Sequence, residues 1–384
     1  MALVFIRPIS FRLGAEEQDA ASMEKYLAVA TGNVHVFELN KDSKSLIHRI
    51  YVSGSLTSEE EVDLVQKSSV KNHFARFLVL DGAARAYLKL NIAETIHAVL
   101  DKQKVPIQFL FTHTTALVGV SFLLESDFYF SRSVNFEPLH YLQENTFTAK
   151  SPFVFFSKVW LTLFERRHSS VWVISPNDLK NYSLFCSPKS IELYPLFQLF
   201  DMVPLRQKTR SKVLSIGFLG STFNVSHNRA SFDFISSKLA SALLATNQKL
   251  VQLNVYGVKS PSTTTTSNLV IHGWKASIDE IFQENDLFLI PYFGGTGMQS
   301  KLFEPLAKGK PVIANPKAFA GYPFVANFHY FAAASLKDYI DLINQLADGG
   351  IDFLSHVDNS NRLVSSLFSR DELLLKIRAS LTPS

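Results

Sequence analysis

The sequence predicts an α/β protein of two domains, each built around a mostly parallel sheet. Short apolar strands alternate with helical segments over residues 1–130, which is the pattern of a parallel sheet with helices on both faces. The same alternation returns after residue 213. Between the two runs, residues 200–212 are basic and polar around a proline, as is typical of an interdomain linker.

The strands of the first half are short runs rich in β-branched and aromatic residues. They are predicted at Leu3–Ile6, Val34–Glu38, His48–Val52, Phe77–Leu80, Ile107–Phe111 and Asp127–Phe130, with helices at Ile92–Val99 and Thr115–Leu124. Because open α/β sheets bind ligands at the carboxyl edge of their strands, polar residues that follow these strands are candidates for a site.

Four polar residues meet this condition. His113 follows the fifth predicted strand, and Arg132, Asn135 and Glu137 follow the sixth. His113 is either a group that faces a ligand or a satisfied structural histidine. Arg132 reaches either a phosphate or a surface carboxylate. Glu137 is interpreted first as a residue that caps or orients its loop, and second as a base.

The segment Ser151–Arg167 is rich in bulky apolar residues and ends in a basic cluster. Such a segment can lie on a membrane surface. Its apolar residues occur nearly all round the predicted helix, however, and this favours a long helix buried against the first sheet.

The second half repeats the alternation of strands and helices. Strands are predicted at Val213–Phe218, Leu250–Tyr256, Leu269–His272, Leu287–Pro291 and Pro311–Ala314, and helices at Ser231–Ala245, Ser277–Asn285, Leu336–Leu346 and Asp371–Ala379. The first of these strands runs into Gly217-x-x-Gly220. The pattern G-x-G-x-x-G is absent, which weighs against a nicotinamide or flavin enzyme.

The stretch 287–315, LFLIPYFGGTGMQSKLFEPLAKGKPVIAN, predicts a strand, a glycine loop, a helix and a second strand. Glycines without a Cβ atom let an anion approach the backbone, and the free amides that open the helix point at it. Lys301 and Glu304 lie on that helix. The lysine can neutralise a phosphate, and the carboxylate can accept hydrogen bonds from a ribose diol.

Pro305 is the local difficulty in this stretch, because proline in a helix interior removes a hydrogen bond. The helix is therefore expected either to begin near Ser300 or to kink. Gly309 is expected to end it, and Lys308 lies where a cation favours the negative helix end.

Composition narrows the function classes. The 384 residues carry 38 basic and 34 acidic side chains, a net charge of only +4, so a nucleic-acid partner is not expected. The one cysteine, Cys186, excludes an internal disulfide and a cysteine-based metal cluster. The N-terminal segment is unlike a signal peptide, and no stretch reaches the roughly 18 apolar residues of a membrane span. We expect a cytoplasmic protein, and leave open a peripheral contact at the inner membrane face.

A longer pattern runs through the glycine loop and its helix. The order G-[ST]-G-x-x-x-K-x-x-E-x-[LM]-A-x-G-[KR]-P-V is matched by Gly295, Thr296, Gly297, Lys301, Glu304, Leu306, Ala307, Gly309, Lys310, Pro311 and Val312. In this the chain resembles the nucleotide-sugar site of family-4-like glycosyltransferases (glycosyl transferases group 1). The resemblance implies the GT-B fold, in which two Rossmann-like domains face each other across a cleft.

The resemblance also implies a division of the chain. An N-terminal Rossmann-like domain on the acceptor side would cover 1–200, and a C-terminal Rossmann-like domain that binds the nucleotide-sugar donor would cover 208–350. C-terminal helices would occupy 351–384, with the last one packed back on the first domain.

The first domain carries a looser part of the resemblance. The family has H-N-x-E and then E…V-I-x-x-S-x-x-D, and this chain has Val134, Asn135 and Glu137, then Glu165, Val173, Ile174, Ser175 and Asp178. Val134 replaces a histidine that helps position the donor sugar or the acceptor, and valine can neither hydrogen-bond nor carry a proton. His113 is the candidate substitute.

The second domain departs from the family pattern at one point. Family members commonly carry an arginine after the second glycine of the first turn, whereas this chain has Ser221 after Gly220. Lys301, helped by Arg229, is then expected to neutralise the diphosphate. The resemblance further implies that Gly273 and Trp274 border the nucleotide base, and a packed tryptophan is an equal alternative.

The implied activity is metal-independent, cofactor-free transfer of a sugar, with retention of configuration, from a nucleotide diphosphate sugar to a glycan or lipid-linked acceptor. The catalytic candidates are Lys301, Glu304, His113, Asn135 and Glu137. The donor-binding candidates are Gly220, Ser221, Arg229, Gly273, Trp274, Gly295, Thr296, Gly297, Met298, Lys301 and Glu304. Two alternatives stay open: a GT-B sugar-nucleotide epimerase or hydrolase, and a non-catalytic subunit that binds a nucleotide sugar.

Overall fold

The chain folds into two compact units. A computed structural model describes residues 2–7, 15–40, 45–66, 68–78, 82–144, 151–185, 189–205, 213–246, 251–258, 266–275, 277–294, 298–351 and 353–382. The first unit comprises Met1–Gln198, Thr296–Met298 and Arg370–Ser384, and the second comprises Leu199–Gly295 and Gln299–Ser369.

The first unit is organised around an eight-stranded sheet in the order β4-β3-β2-β1-β5-β6-β7-β8. Its strands are β1 Ala2–Arg7, β2 Asn33–Asn40, β3 Ser45–Val52, β4 Ser55–Asp63, β5 Ile107–His113, β6 Phe128–Ser133, β7 Ser170–Val173 and β8 Ile191–Leu193. Strand β1 pairs in parallel with β2 and β5, and the strands from β5 to β8 are parallel to one another. This part confirms the predicted parallel sheet.

Strands β3 and β4 depart from the prediction because both pair antiparallel to their neighbours. A parallel pair needs a crossover of about a dozen residues, and only residues 41–44 separate β2 from β3. The turn into β4 uses Ser53 and Gly54, whose φ angles are 50° and 86°. Two successive positive φ angles are typical of a two-residue hairpin turn. Strand β4 escaped prediction because its sequence, SLTSEEEVD, is polar and almost wholly exposed.

The helices of the first unit pack around this sheet. They are α1 Ala15–Thr31, α2 Val70–Leu78, α3 Gly82–Lys89, α4 Ile92–Gln103, α5 Val118–Ser121, α6 Glu137–Glu144, α7 Ser151–Phe164 and α8 Pro176–Phe185. The strand predicted at Phe77–Leu80 is wrong, since α2 includes its first two residues; the rest lies outside the described residues. The helix predicted at Thr115–Leu124 is shorter, with a 3-10 turn at Thr115–Leu117 followed by α5.

Helix α7 contradicts the favoured prediction of a helix buried against the sheet. Its buried side chains are Ser151, Ser157, Leu161 and Thr162, and most of its bulky apolar residues are partly or largely exposed. Small polar side chains occupy the inner face, so the aromatic residues are left on the outside.

The second unit contains a six-stranded sheet in the order β11-β10-β9-β12-β13-β14. Its strands are β9 Leu214–Thr222, β10 Val251–Val258, β11 Leu269–Gly273, β12 Leu287–Ile290, β13 Val312–Ala314 and β14 Phe331–Ala332. Each neighbouring pair is parallel. The five strands predicted in this half are confirmed within a few residues at their ends.

The helices of the second unit surround this sheet. They are α9 Ser226–Asp233, α10 Ala240–Ala245, α11 Ile278–Glu284, α12 Ser300–Ala307, α13 Leu336–Ala347 and α14 Leu354–Leu367, and a π-helical segment at Phe234–Leu239 joins α9 to α10. A buried core forms where β9, β10 and β12 meet the helices, with Phe218, Phe232 and Leu289 among its members. Helix α14 lies within 351–384, where C-terminal helices were expected without individual bounds.

The last helix, α15 Arg370–Ser380, belongs to the first unit. The Arg370 guanidinium lies 5.5 Å from the ring centroid of Tyr26 on α1. The Ser380 hydroxyl lies 2.7 Å from the Tyr194 hydroxyl. These contacts attach the end of the chain to the first unit. Among the described helices, none is long and apolar enough to cross a membrane.

Candidate active site

The candidate site lies at the carboxyl edge of the sheet in the second unit. Because β9, β10, β11 and β12 are parallel, all four end at this edge. Open α/β sheets bind ligands there, where loops connect each strand to the next helix. The chain leaves β12 at Ile290 and enters α12 at Ser300, so this helix begins beside the edge.

Lys301 is held at this edge by a neighbour that is distant in sequence. Its Nζ donates to Oδ1 of Asn228 at 2.7 Å, and Nδ2 of Asn228 donates to the carbonyl of Thr222 at 3.1 Å. Thr222 is the last residue of β9, so the contact places the ammonium group at the end of that strand. The same Nζ lies 5.5 Å from the ring centroid of Phe218. A cation ordered in this way is preorganised to meet an anion.

Glu304 lies three residues after Lys301 on α12, and residues at this spacing are neighbours on a helix surface. Lys301 is 8% exposed and Glu304 is 5% exposed. A cation and a carboxylate are therefore both largely withdrawn from solvent, side by side on one helix.

Helix α12 resolves the difficulty of Pro305 by including it. The helix begins at Ser300, as one of the two expectations had it, and Pro305 is inside it. The proline cannot donate to the carbonyl of Lys301, so the helix lacks one bond beside the candidate site. Gly309 ends the helix as predicted, with φ of 74° and its amide 3.0 Å from the carbonyl of Leu306.

Lys308 was expected to favour the negative end of α12. It is the C-cap residue of this helix, and its Nζ also forms an ion pair with Oδ1 of Asp279, on α11, at 2.7 Å.

Gly295, Thr296 and Gly297 lie outside the described residues, so their grip on a diphosphate stays a prediction. The residues that flank them are described. Gly294 has φ of 103°, and its carbonyl accepts a hydrogen bond from Nε2 of Gln299 at 2.9 Å. Gln299 occupies the N-cap of α12 and, within the described part of the chain, its side chain makes no cap bond to the helix amides. Met298 is buried.

The residues predicted to lie near the donor phosphates are on two elements, β9 and α9, and differ in burial. Gly220 is buried in β9, and a Cβ atom added there would lie 2.3 Å from the ring of Phe223. Ser221 is the next residue of the same strand. Arg229 is half exposed on α9, with its Nε 3.5 Å from Oδ1 of Asp233. Packing alone accounts for Gly220, and the donor-binding roles of all three predicted residues stay predictions.

Gly273 is the last residue of β11, and Trp274 follows it at the same edge. Gly273 has φ of 71°, and Trp274 is largely exposed, which rules out the alternative of a packed tryptophan. Next to them, the ring of His272 stacks on Tyr256 at a centroid distance of 4.7 Å. Nε2 of His272 lies 2.9 Å from Oδ1 of Asn254. Contact of this edge with a nucleotide base stays a prediction.

The candidates from the first unit lie at the carboxyl ends of β5 and β6. His113 is fully buried, and its Nε2 lies 3.3 Å from Oδ2 of Asp19. Arg132 is also fully buried and donates to both carboxylate oxygens of Asp19 at 2.9 Å. The partner of Arg132 is therefore a carboxylate, but a fully buried one, so the expected surface carboxylate is wrong. Burial alone raises the pKa of Asp19, but Arg132 and His113 outweigh it and lower that pKa to about 2.

Asn135 and Glu137 lie in the loop after β6 and at the start of α6. The carbonyl of Asn135 accepts a hydrogen bond from the Ser133 hydroxyl at 2.8 Å. Oε2 of Glu137 lies 2.7 Å from Nζ of Lys158 on α7. Glu137 therefore ties its helix to the next one, in keeping with an orienting role. Direct roles for His113, Asn135 and Glu137 in catalysis stay predictions.

Two buried carboxyl groups form hydrogen bonds with this loop and with the elements beside it. Asp178 accepts from the amide of Phe136 at 3.0 Å, and Glu165 accepts from the hydroxyls of Ser131 at 2.5 Å and Tyr182 at 2.6 Å. Burial raises the pKa of Glu165 to about 7 although these hydroxyl bonds lower it. Burial likewise raises the pKa of Asp178 to about 6, against hydrogen bonds that favour its charged form. Asp178 therefore holds the loop directly, and Glu165 holds Ser131 of β6 and Tyr182 of α8 beside it.

Asn228 is the site residue that sequence reasoning missed. It belongs to a polar stretch with no apolar periodicity, and its partner lies 73 residues away. The position of its helix directly after a strand of the second half was the one available signal.

Two α/β units dominated by parallel strands define the class: the chain has the GT-B fold. No protein-family model matches the sequence, and no curated protein matches it significantly. Solved structures do match.

WaaG, a glycosyltransferase involved in lipopolysaccharide biosynthesis, matches with a TM-score of 0.62 and 12% identity over 100% of both chains. HepE from Anabaena, solved with UDP and glucose, matches with a TM-score of 0.62 and 14% identity over 99% of each chain. TarM matches with a TM-score of 0.57 and 12% identity over 90% of this chain, which spans 63% of TarM. Identities this low establish the fold alone.

Proposed function

We propose that the protein is a retaining glycosyltransferase that moves a sugar from a nucleotide diphosphate sugar to a hydroxyl acceptor. The observation that carries the proposal is the pair Lys301 and Glu304, both buried on α12 at the carboxyl edge of an all-parallel sheet. Solved structures of the same fold include glycosyltransferases, and one of them holds UDP and glucose. The acceptor is proposed to be a glycan or a lipid-linked saccharide.

In the proposed reaction, the bond between the anomeric carbon and the diphosphate breaks and a bond to the acceptor oxygen forms on the same face. Lys301 stabilises the negative charge that develops on the leaving diphosphate, which is where electrostatic catalysis contributes most. The acceptor proton passes to an oxygen of the departing phosphate. Glu304 accepts hydrogen bonds from the ribose hydroxyls and fixes the donor. Since Lys301 supplies the positive charge, the reaction is proposed to proceed without a metal or other cofactor.

The test is a thermal-shift screen of nucleotide sugars, because a ligand that binds only the folded state raises the melting temperature. A stabilising donor is expected for the wild type, and the shift should be lost in Glu304→Ala. Glu280→Ala, which removes an exposed glutamate from α11, is the matched control and should keep the full shift. An unchanged shift in Glu304→Ala would contradict the ribose assignment.

Transfer is then measured with the stabilising donor and a panel of glycan and lipid-linked acceptors, with and without EDTA. Product whose new linkage has the anomeric configuration of the donor, at a rate that EDTA leaves unchanged, is expected. Donor turnover that needs no acceptor would indicate the epimerase or hydrolase instead. Donor binding without any transfer would indicate the non-catalytic subunit.

A further inference from the structure

Helix α7 in the first unit presents an aromatic face to solvent. Phe153, Phe156 and Trp160 are 77%, 66% and 44% exposed, whereas Ser157 and Thr162 are buried. The three aromatic residues are spaced by three and four positions, so they share one face of the helix. Large apolar side chains clustered on a surface mark an interaction site, while isolated ones need no explanation.

The exposed aromatic residues contribute nothing to the inner face of α7. Ser157 donates to the carbonyl of Phe153 at 2.8 Å, and Thr162 donates to that of Lys158 at 2.9 Å, so the buried hydroxyls are satisfied within the helix. The inner face of α7 is therefore complete without the aromatic side chains. Removing them should cost the fold little.

Positive charge adjoins the aromatic face. Helix α7 contains no acidic residue, and the exposed Arg166 and Arg167 follow directly after it. The Arg167 guanidinium lies 5.8 Å from the ring centroids of both Phe122 and Phe164. Phe164 in turn packs against Trp160 at 5.1 Å, so the basic end is continuous with the aromatic face.

This combination fits the surface of an anionic bilayer. Phenylalanine and tryptophan rings lie at the boundary between headgroups and acyl chains, while arginine side chains pair with anionic headgroups. With 14 residues, α7 is roughly 21 Å long, enough to lie in that boundary and too short to span the bilayer. We propose that α7 docks the first unit on an anionic membrane surface, with Phe153, Phe156 and Trp160 inserted and Arg166 and Arg167 on the headgroups.

The proposal concerns where the protein resides and does not depend on the transferase activity. Its first test is flotation of the full chain with phosphatidylcholine vesicles, with and without phosphatidylglycerol. The wild type is expected to float only with the anionic vesicles, and high salt should weaken the association. The double variant Phe153→Ser/Phe156→Ser should bind at least about tenfold more weakly, because two inserted aromatic rings are lost.

Phe74→Ser is the matched control, since Phe74 is an exposed phenylalanine on α2 of the same unit. It should bind like the wild type. Arg166→Gln tests the charge separately and should weaken binding to anionic vesicles about fivefold without creating any affinity for neutral ones. Circular dichroism and melting temperature of each variant verify that it is folded.

A second test reports insertion without altering the aromatic face. The chain has three tryptophans, of which Trp172 is fully buried, so in the variant Trp274→Phe a lipid quencher can reach Trp160 alone. Vesicles of brominated lipid should quench this fluorescence if Trp160 enters the acyl boundary.

Any of three results would overturn the proposal. These are equal flotation of the wild type and the double variant, no quenching of Trp160, or equal binding to neutral and anionic vesicles. A concentration-dependent dimer that the double variant abolishes, with no vesicle binding, would assign the same face to a second copy of the chain instead.

Discussion

Lys301 and Asn228 are 73 residues apart in sequence, and the lysine Nζ lies 2.7 Å from the asparagine Oδ1. The asparagine is in turn fixed by the carbonyl of Thr222. One amide side chain therefore connects the end of β9 to the cation of α12. This bridge restricts the rotamers that the Lys301 side chain can adopt and so contributes to its positioning.

Asn228→Ala is expected to weaken nucleotide-sugar binding by about tenfold or more, since a hydrogen bond to a charged group contributes roughly 1.5–3 kcal/mol. Asn228→Asp should weaken it further, because the new carboxylate would neutralise Lys301. Isothermal titration calorimetry with the donor found in the thermal-shift screen measures both. Asn224→Ala removes an exposed asparagine just before α9 and should leave the affinity unchanged. Equal affinities for Asn228→Ala and the wild type would show that Lys301 does not need the bridge.

The sequence predicted the sheet of the second unit well for a physical reason. Buried parallel strands such as β12 and β13 are continuous apolar runs bounded by proline or polar residues, and these signals are local. Strand β4 lacks them, because an exposed edge strand buries little and Glu59, Glu60 and Glu61 fill its middle.

Contacts between residues that are distant in sequence could not be predicted from local sequence patterns. Lys301 and Glu304 were found because their spacing lies within one helix. The pairing of Arg132 with Asp19, 113 residues away, depends on how α1 packs on the sheet. Asn228 is likewise recognisable only once β9 and α12 are placed side by side.

Gly220→Ala is expected to destabilise the second unit by about 1–3 kcal/mol, because the added Cβ atom would overlap a packed ring. That ring belongs to Phe223, which is 1% exposed and would lie 2.3 Å from the new atom. Calorimetric unfolding measures the loss. In the Phe223→Leu background the same substitution should cost clearly less, since the two residues are in contact.

Gly350→Ala is the control for this prediction. An added Cβ atom there would lie 3.4 Å from the carbonyl of Gln345, and the residue is exposed. Its melting temperature should match the wild type. A full cost of Gly220→Ala in both backgrounds would point to the strand backbone rather than to Phe223.

Asp19→Ala is expected to destabilise the first unit by about 3–5 kcal/mol, because it leaves the buried guanidinium of Arg132 without its partner. Urea unfolding followed by the fluorescence of Trp172, which is buried in this unit, measures the change. Lys71→Ala breaks the exposed ion pair with Glu125 and should cost less than about 1 kcal/mol. Similar costs for the two variants would refute a special role for the buried pair.

Because of the Asp19 carboxyl group, the stability of the first unit should depend on pH. The pKa of this group is lowered from 3.8 to about 2 on folding, so its contribution is complete above the unfolded value and is lost as the pH falls toward 2. The loss should be about 2 kcal/mol. Wild type and Asp19→Asn should therefore converge in stability in acid; a constant difference between them would contradict the lowered pKa.

Glu165 should make stability depend on pH in the opposite direction. Burial raises its pKa from 4.5 to about 7, so the folded state binds this proton more tightly than the unfolded state does. Its contribution to stability is complete below the unfolded pKa and is lost as the pH rises through about 7, a change of about 3 kcal/mol. Glu165→Gln keeps the shape and hydrogen-bonding capacity of the neutral acid but cannot ionise. Relative to the wild type, this variant should gain stability between about pH 5 and pH 8.

Urea unfolding of both proteins across this range, again followed by Trp172, measures the difference. Glu125→Gln, which changes an exposed glutamate, is the control and should follow the wild type at every pH. Ionisation of the buried Glu165 at higher pH lowers the stability of the first unit, so openings that expose the Phe136 amide should become more frequent. Hydrogen exchange at Phe136 should then accelerate above about pH 7 beyond its intrinsic rise in the wild type and not in Glu165→Gln. A stability difference that does not change with pH would mean that the pKa of Glu165 does not change on folding.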